Sequence, residues 1–284
     1  MKSLLKIIGA VVVLAAVALA AGKFFPDKVY MAKSAVFELF SGESPKLEEM
    51  ENIKTEELGI ERLLEMGASE NDSLMLINVD YPLPEDYEPE LAVLGNGAVF
   101  INSCAADAYG EIKAAVREKF GNALYIMSAF RTGEEQAAAA ESEGDLAAAV
   151  GASEHQAGLA LDVYVKYFAG EGFLKSPEGQ FVNSNCSDYG FIIRYPVYGE
   201  AVTGIAFEPW HIRYVGLPHS EIIQSEKLTL EEYIISLEVG EFYSYGEYII
   251  TRQEDGENFA VPAGLREIVV SKDNTGCVII TGKK

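Results

Sequence analysis

Two of the three histidines in this 284-residue chain stand in short blocks that also carry carboxylates, and this limits the fold more than any other feature. The first block runs Ser153-Glu154-His155-Gln156-Ala157-Gly158-Leu159-Ala160-Leu161-Asp162, and the second is Glu208-Pro209-Trp210-His211. A catalytic zinc ion takes three protein ligands from His, Asp or Glu and leaves its fourth position to water. His155 and Asp162 can supply two of them, one from a loop and one from the strand that follows, with Gly158 as the place to turn. His211 supplies the third from a distant strand. A chain that uses these residues must therefore bring two separate strands together under a cleft.

Metal-assisted hydrolysis also needs a base for the proton of the attacking water. Glu208 lies on the same short Pro-Trp turn as His211, so both side chains can be aimed at one point. Each block alone is weak evidence. A histidine near an aspartate is commonly a hydrogen-bonded surface residue, and Glu-Pro-Trp-His reads equally well as a strand end with Trp210 in the core. Their joint occurrence in a chain so poor in histidine favours the site. His219, in Pro218-His219-Ser220, has no ligand spacing and reads as a surface turn residue.

The element pattern around these blocks predicts an α+β fold, with an antiparallel sheet, helices packed on one side and a small C-terminal β-rich domain. Leu74–Val79 reads as a short strand. Ala105–Phe120 reads as an amphipathic helix with Ala108, Ile112, Ala115, Val116 and Phe120 on one face, ended by Gly121-Asn122. Residues 123–127, 159–167, 191–195 and 204–214 read as strands, and the alanine-rich stretch 133–150 as a helix. After Leu230, residues 242–252, 259–261, 267–270 and 277–281 are short strand-like pieces, with turns at Asp255-Gly256 and Asn274-Thr275-Gly276. The expected organisation is an export segment over 1–22, an acidic stalk over 23–72, the zinc-site domain over 73–235 and the β-rich domain over 240–284.

Charge and cysteine content narrow the partners. Acidic residues number 44 against 22 basic ones, which excludes nucleic acid as the main partner. Lys2 and Lys6 precede an apolar run from Ile7 to Gly22, the layout of an export signal. The run is slightly short of the ~20 residues a membrane span wants. Both a cleaved signal, with Ala18-Leu19-Ala20 as its cleavage site, and an uncleaved membrane anchor fit, and either places the rest of the chain outside the cytoplasm. Cys104, Cys186 and Cys277 form no CxxC pair and read as small apolar residues rather than metal ligands.

The co-ordered blocks resemble the VanY-type D-alanyl-D-alanine carboxypeptidases, which belong to a zinc peptidase group that includes VanX dipeptidases and lysostaphin-like endopeptidases. The resemblance runs from about Leu74 to about Tyr233. It includes Leu83-Pro84-x-x-Tyr87-x-Pro89, Ser128-Ala129-Phe130-Arg131-Thr132 followed by Glu135-Gln136, Arg194-Tyr195-Pro196, Thr203-Gly204 and Arg213-Tyr214-Val215-Gly216. It implies that His155, Asp162 and His211 hold Zn2+ and that Glu208 is the general base and acid. It implies that Arg131 meets the peptide and its oxyanion, and that Gln136, Ser153 and Trp210 contact substrate. A guanidinium suits a free carboxylate or a developing oxyanion, which agrees with that role for Arg131. Ala129 and Phe130 replace the glycine and tyrosine usual in the family, and Val150-Gly151-Ala152 stands where relatives often have Pro-Gly. The implied substrate is a peptidoglycan stem peptide ending in D-Ala. The same fold and metal set also serve L,D-carboxypeptidases acting on tetrapeptide stems. A free D-Ala-D-Ala dipeptidase fits an exported chain less well. A wall-binding or sensor protein on an inactive peptidase fold is the alternative from another class.

Overall fold

The computed structural model describes residues 22–38, 45–95, 99–143 and 148–284. The apolar run of the expected export segment lies outside the described residues up to residue 21, and among those described no helix is long and apolar enough to cross a membrane.

The acidic stretch contributes strands β1 (Glu48–Glu49), β2 (Thr55–Gly59) and β3 (Ser69–Asn71), and β4 (Leu91–Leu94) pairs antiparallel with β5 (Val99–Asn102). Next come β6 (Tyr125–Ser128), β7 (Ala160–Tyr164), β8 (Phe191–Ile193) and β9 (His211–Tyr214), which form a four-stranded antiparallel sheet in the order β6-β7-β9-β8. The C-terminal strands are β10 (Phe242–Tyr245), β11 (Tyr248–Glu254), β12 (Asn258–Pro262), β13 (Arg266–Lys272) and β14 (Cys277–Lys283). This is the expected α+β architecture with a β-rich C-terminal region.

One face of the central sheet builds the main core. Side chains alternate across a strand, so Leu161 and Val163 of β7 share a face with Ile212 of β9, and all three are fully buried. The helix Ala106–Phe120 packs on that face through Tyr109, Ile112 and Val116, spaced one helical turn apart. Burying a side chain such as Ile112 or Val116 is worth roughly 1.5–3 kcal/mol. Gly121 ends the helix in the left-handed conformation at φ 73°, with its amide donating to the carbonyl of Arg117. The opposite face of the sheet is left for Asp162 and His211.

The acidic stretch expected as a stalk departs most from the sequence reading. β1 pairs with β10, β3 lies parallel to β13, and together with β11 and β14 they form a six-stranded sheet; β2 pairs with β12. Leu63 is fully buried among Phe259, Val261, Ile268, Val270, Val278 and Ile280. The C-terminal strands therefore share their core with residues 48–71. The glutamates of β1 and β2 are exposed on short strands at sheet edges, where charge discourages further pairing. That placement gives an edge strand the composition of a solvated linker.

Other differences are local. Leu74, Met75, Leu76 and Ile77 are buried as expected of an apolar strand, but they join no ladder. Their backbone is satisfied elsewhere: Leu74 N donates to Ser271 Oγ, Leu76 N to Asp273 O, and Met75 O accepts from Arg213. The piece expected over 242–252 is the β10–β11 hairpin, turned at Gly246 with φ 56°. The helix Gly133–Glu143 covers the described part of the expected one, and Ala148–Val150 are not helical. His219 is buried, with Nδ1 2.6 Å from Tyr233 Oη and Nε2 2.9 Å from Thr281 Oγ1, so it links the C-terminal sheet to the helices before it. Its neighbours Pro218 and Ser220 are typical of turns, which gives it the look of a turn residue in the sequence. Cys186 and Cys277 are buried, Cys104 is half-buried, and all three are free thiols.

Candidate active site

Pairing between β7 and β9 sets Asp162 directly opposite His211, so both side chains rise from the same face of the sheet. His155 reaches them from the one-turn helix Glu154–Ala157 that precedes β7. Gly158 makes the turn from this helix into β7 at φ 67°, and a Cβ there would lie 2.7 Å from the amide nitrogen of Asn102. Only glycine meets both conditions, so its place between the histidine and the aspartate has a steric reason. One ligand atom from each of His155, Asp162 and His211 lies within 4.8 Å of the others.

Each ring has a defined orientation. His155 Nδ1 is 2.8 Å from the carbonyl oxygen of Ala129, which turns Nε2 toward Asp162 Oδ2 at 3.4 Å. His211 Nδ1 lies 3.1 Å from Asp162 Oδ1 and 3.6 Å from Glu208 Oε2. The two imidazoles meet edge to face at 5.1 Å, and Tyr195 lies 4.9 Å from the His211 ring on another side. Burial lowers the proton affinity of His155, and the charges of His211 and Arg131 add to this against the opposing pull of Asp162. For His211 burial also works downward, but the carboxylates of Asp162 and Glu154 close to its ring outweigh it and raise its pKa to about 9. Burial would raise the pKa of Asp162, yet the two histidines hold it well below the ordinary carboxylate range.

These residues fit a divalent cation. Asp162 Oδ1 is buried 3.1 Å from His211 Nδ1 and has no hydrogen-bond partner among the described residues, so an anionic oxygen of the cluster is left for a cation. Two imidazole nitrogens and one carboxylate oxygen form a donor set suited to zinc, with the fourth position left open.

The flanking residues divide into two groups. Glu208 adjoins the cluster: its backbone N–H donates to Tyr195 O, its carbonyl accepts from His211 N–H, and its side chain is about a quarter exposed, at 26 %. Arg131 is half-buried at the cluster's edge; its backbone N–H donates to His155 O, while its guanidinium Nε is buried without a hydrogen-bond partner among the described residues. A cavity of about 340 Å³ is lined by Phe100, Met127, Ala129, Phe130, Thr132 and Glu135 among others, and none of His155, Asp162, Glu208 and His211 is among its lining residues. The second group lies further in. Gln136 is fully enclosed, with Nε2 donating to Ala148 O at 2.7 Å and Oε1 without a hydrogen-bond partner among the described residues. Ser153 is buried, and its carbonyl accepts from Gln156 N–H. Trp210 packs against the main core, and its carbonyl accepts from Val163 N–H.

Sequence reasoning missed Glu154. Its side chain is fully buried, and Oε1 accepts from Arg194 Nε at 2.6 Å and from Arg213 Nη1 at 2.7 Å. Burial works to raise its pKa, but Arg194 and then Arg213 prevail and keep it ionised, below the usual carboxylate range. A glutamate beside a loop histidine reads as solvated. The arginines that neutralise it come from β9 and from the segment after β8, and no local pattern connects them.

Comparison with known proteins shows the family to which this fold belongs. The family model described as VanY, D-alanyl-D-alanine carboxypeptidase, matches residues 99–217. A D-alanyl-D-alanine carboxypeptidase from Enterococcus faecium is 33% identical over 262 residues, covering 84% of this chain and 84% of that protein. The vancomycin-resistance D,D-dipeptidase VanXYg, solved with a D-Ala-D-Ala phosphinate analogue, superposes with a TM-score of 0.65 at 25% identity, covering 82% of this chain and 100% of that one. A vancomycin-resistance D,D-pentapeptidase VanY solved in complex with Zn(II) superposes with a TM-score of 0.50 at 32% identity, covering 57% of this chain and 98% of that one.

Proposed function

The chain belongs to the VanY family of D-alanyl-D-alanine carboxypeptidases, and on that premise we propose that it is a zinc-dependent enzyme hydrolysing the terminal D-Ala from peptidoglycan stem peptides that end in D-Ala-D-Ala. The observation that carries the zinc assignment is the convergence of His155 Nε2, Asp162 and His211 Nδ1, with the buried Oδ1 of Asp162 left without a hydrogen-bond partner among the described residues. When bound, zinc supplies Lewis acidity and brings the pKa of a ligated water to about 7.

The chain's own residues do the rest. Glu208, 3.6 Å from His211 Nδ1, accepts the proton of the attacking water and returns it to the nitrogen of the departing D-Ala. A carbon–oxygen bond forms at the scissile carbonyl and the carbon–nitrogen bond breaks, so the products are a shortened stem and free D-alanine. Arg131, whose Nε has no hydrogen-bond partner among the described residues, donates to the substrate carboxylate or to the oxyanion that develops. Gln136 and Ser153 act from behind, shaping the 148–153 loop that borders the site. The export layout of residues 1–22 supports work outside the cytoplasm, where wall peptides are met.

Digestion of defined tri-, tetra- and pentapeptide stems, read by mass spectrometry with and without a chelator, tests this reading. Loss of one D-Ala from the pentapeptide, abolished by the chelator, is the expected result. Cleavage of the tetrapeptide alone would replace it with L,D-carboxypeptidase activity, and no product from any stem would overturn it.

A further inference from the structure

We propose that Glu154 is a positioning residue: its Oε2 fixes the ring of His211 through the Nε2–H, and Arg194 and Arg213 hold the carboxylate in place for that task. The proposal rests on the reading of His155, Asp162 and His211 as metal ligands and deepens it.

The two oxygens of Glu154 face different partners. Oε1 receives both arginines. Oε2 faces His211 Nε2 at 3.6 Å, and both of these atoms are buried with no hydrogen-bond partner among the described residues. Each is the group the other lacks, and a closure of about 0.6 Å brings them to ordinary N–H···O distance. A structural role for Glu154 would be met by Oε1 alone.

Ligand chemistry explains why such a contact is needed. His211 turns Nδ1 toward Asp162 and Glu208, so Nδ1 is the atom available to a cation, and a neutral ring must then carry its proton on Nε2. A carboxylate at Nε2 selects that tautomer and makes Nδ1 a better donor to the metal. His155 is held the opposite way, with Nδ1 against the Ala129 carbonyl and Nε2 in the cluster. The two imidazoles are thus set as opposite tautomers, one by a backbone carbonyl and one by Glu154.

The carboxylate is rigidly held. Arg194 also clamps Glu231 through Nη1 and Nη2, and its backbone N–H donates to His211 O. Arg213 donates through Nη2 to the carbonyls of Ser73 and Met75. Both guanidiniums are fixed at several points, and so is the oxygen they share.

With only three histidines, ¹⁵N spectra of the zinc-loaded full chain are assignable. The expected spectrum shows His211 protonated at Nε2 with slow proton exchange, and His155 protonated at Nδ1. Glu154→Gln is expected to keep a cooperative melting transition, speed exchange of the Nε2 proton and raise the zinc Kd by about 10–100-fold in competition with a chromophoric chelator. A folded Glu154→Gln with zinc Kd within about two-fold of the wild type would overturn the proposal. If the variant does not fold, the wild-type spectrum decides, since a His211 Nε2 lacking a proton or exchanging it rapidly with water overturns it equally. Failure of the wild type to bind zinc would instead overturn the ligand assignment beneath it.

Discussion

Asp162 and His211 occupy facing positions in the β7–β9 ladder, with Oδ1 of the one 3.1 Å from Nδ1 of the other and no hydrogen bond between them. The sheet itself therefore sets their separation. On this account Asp162→Asn leaves the fold intact, because Leu161 and Val163 bury the opposite face whatever residue stands at 162. It removes the anionic ligand. Zinc affinity should fall by at least the 10–100-fold that follows loss of an outer-shell partner, measured by competition titration. Unchanged affinity would remove Asp162 from the ligand set.

Glu208 is near the cluster but is assigned no metal bond, so Glu208→Gln separates binding from chemistry. Zinc content should stay stoichiometric while turnover on a pentapeptide stem falls by about 10²–10⁴-fold, the usual worth of a positioned acid–base group. Full activity in this variant would show that the proton goes elsewhere.

Gly158 carries the chain from His155 to Asp162 at φ 67°, with Asn102 N only 2.7 Å from where a Cβ would stand. Gly158→Ala adds left-handed strain and a backbone clash, a loss of about 2–4 kcal/mol in chemical denaturation. Gly246→Ala is the comparison, since its φ is also positive but nothing crowds the position. The excess loss at 158 measures the clash alone, and equal losses would show that the packing around residue 158 yields.

His219 gives the clearest pH signature. Burial lowers its pKa from 6.5 to about 3 in the folded chain. Between these values the unfolded state binds the extra proton, so stability rises with pH across that window and falls as pH drops from 6.5 toward 3. The contribution is complete above 6.5 and changes by up to ~1.4 kcal/mol per pH unit inside the window. Urea denaturation at several pH values should show a shallower slope for His219→Gln than for the wild type, and parallel slopes would contradict the assignment.

The parts legible in the sequence were those with local signatures. The helix Ala106–Phe120 shows its period and its glycine stop, and the two histidine blocks lie at the strand ends that the structure brings together. What escaped depends on distant partners. β1–β3 carry too many glutamates to look like strands until β10, β12 and β13 pair with them. Leu74–Ile77 have strand composition but spend their backbone groups on side chains and a turn. Glu154 is buried only because Arg194 and Arg213 meet it. His219 finds Thr281 across 62 residues of chain.

Anomalous diffraction at the zinc edge, from crystals of the purified protein grown with zinc, tests the central claim most directly. The account expects a single strong peak at about 2.0–2.2 Å from His155 Nε2, from an Asp162 carboxylate oxygen and from His211 Nδ1, with Glu208 near it but not bonded. A peak held by other residues, or none in a protein that hydrolyses the stem peptide, would contradict it.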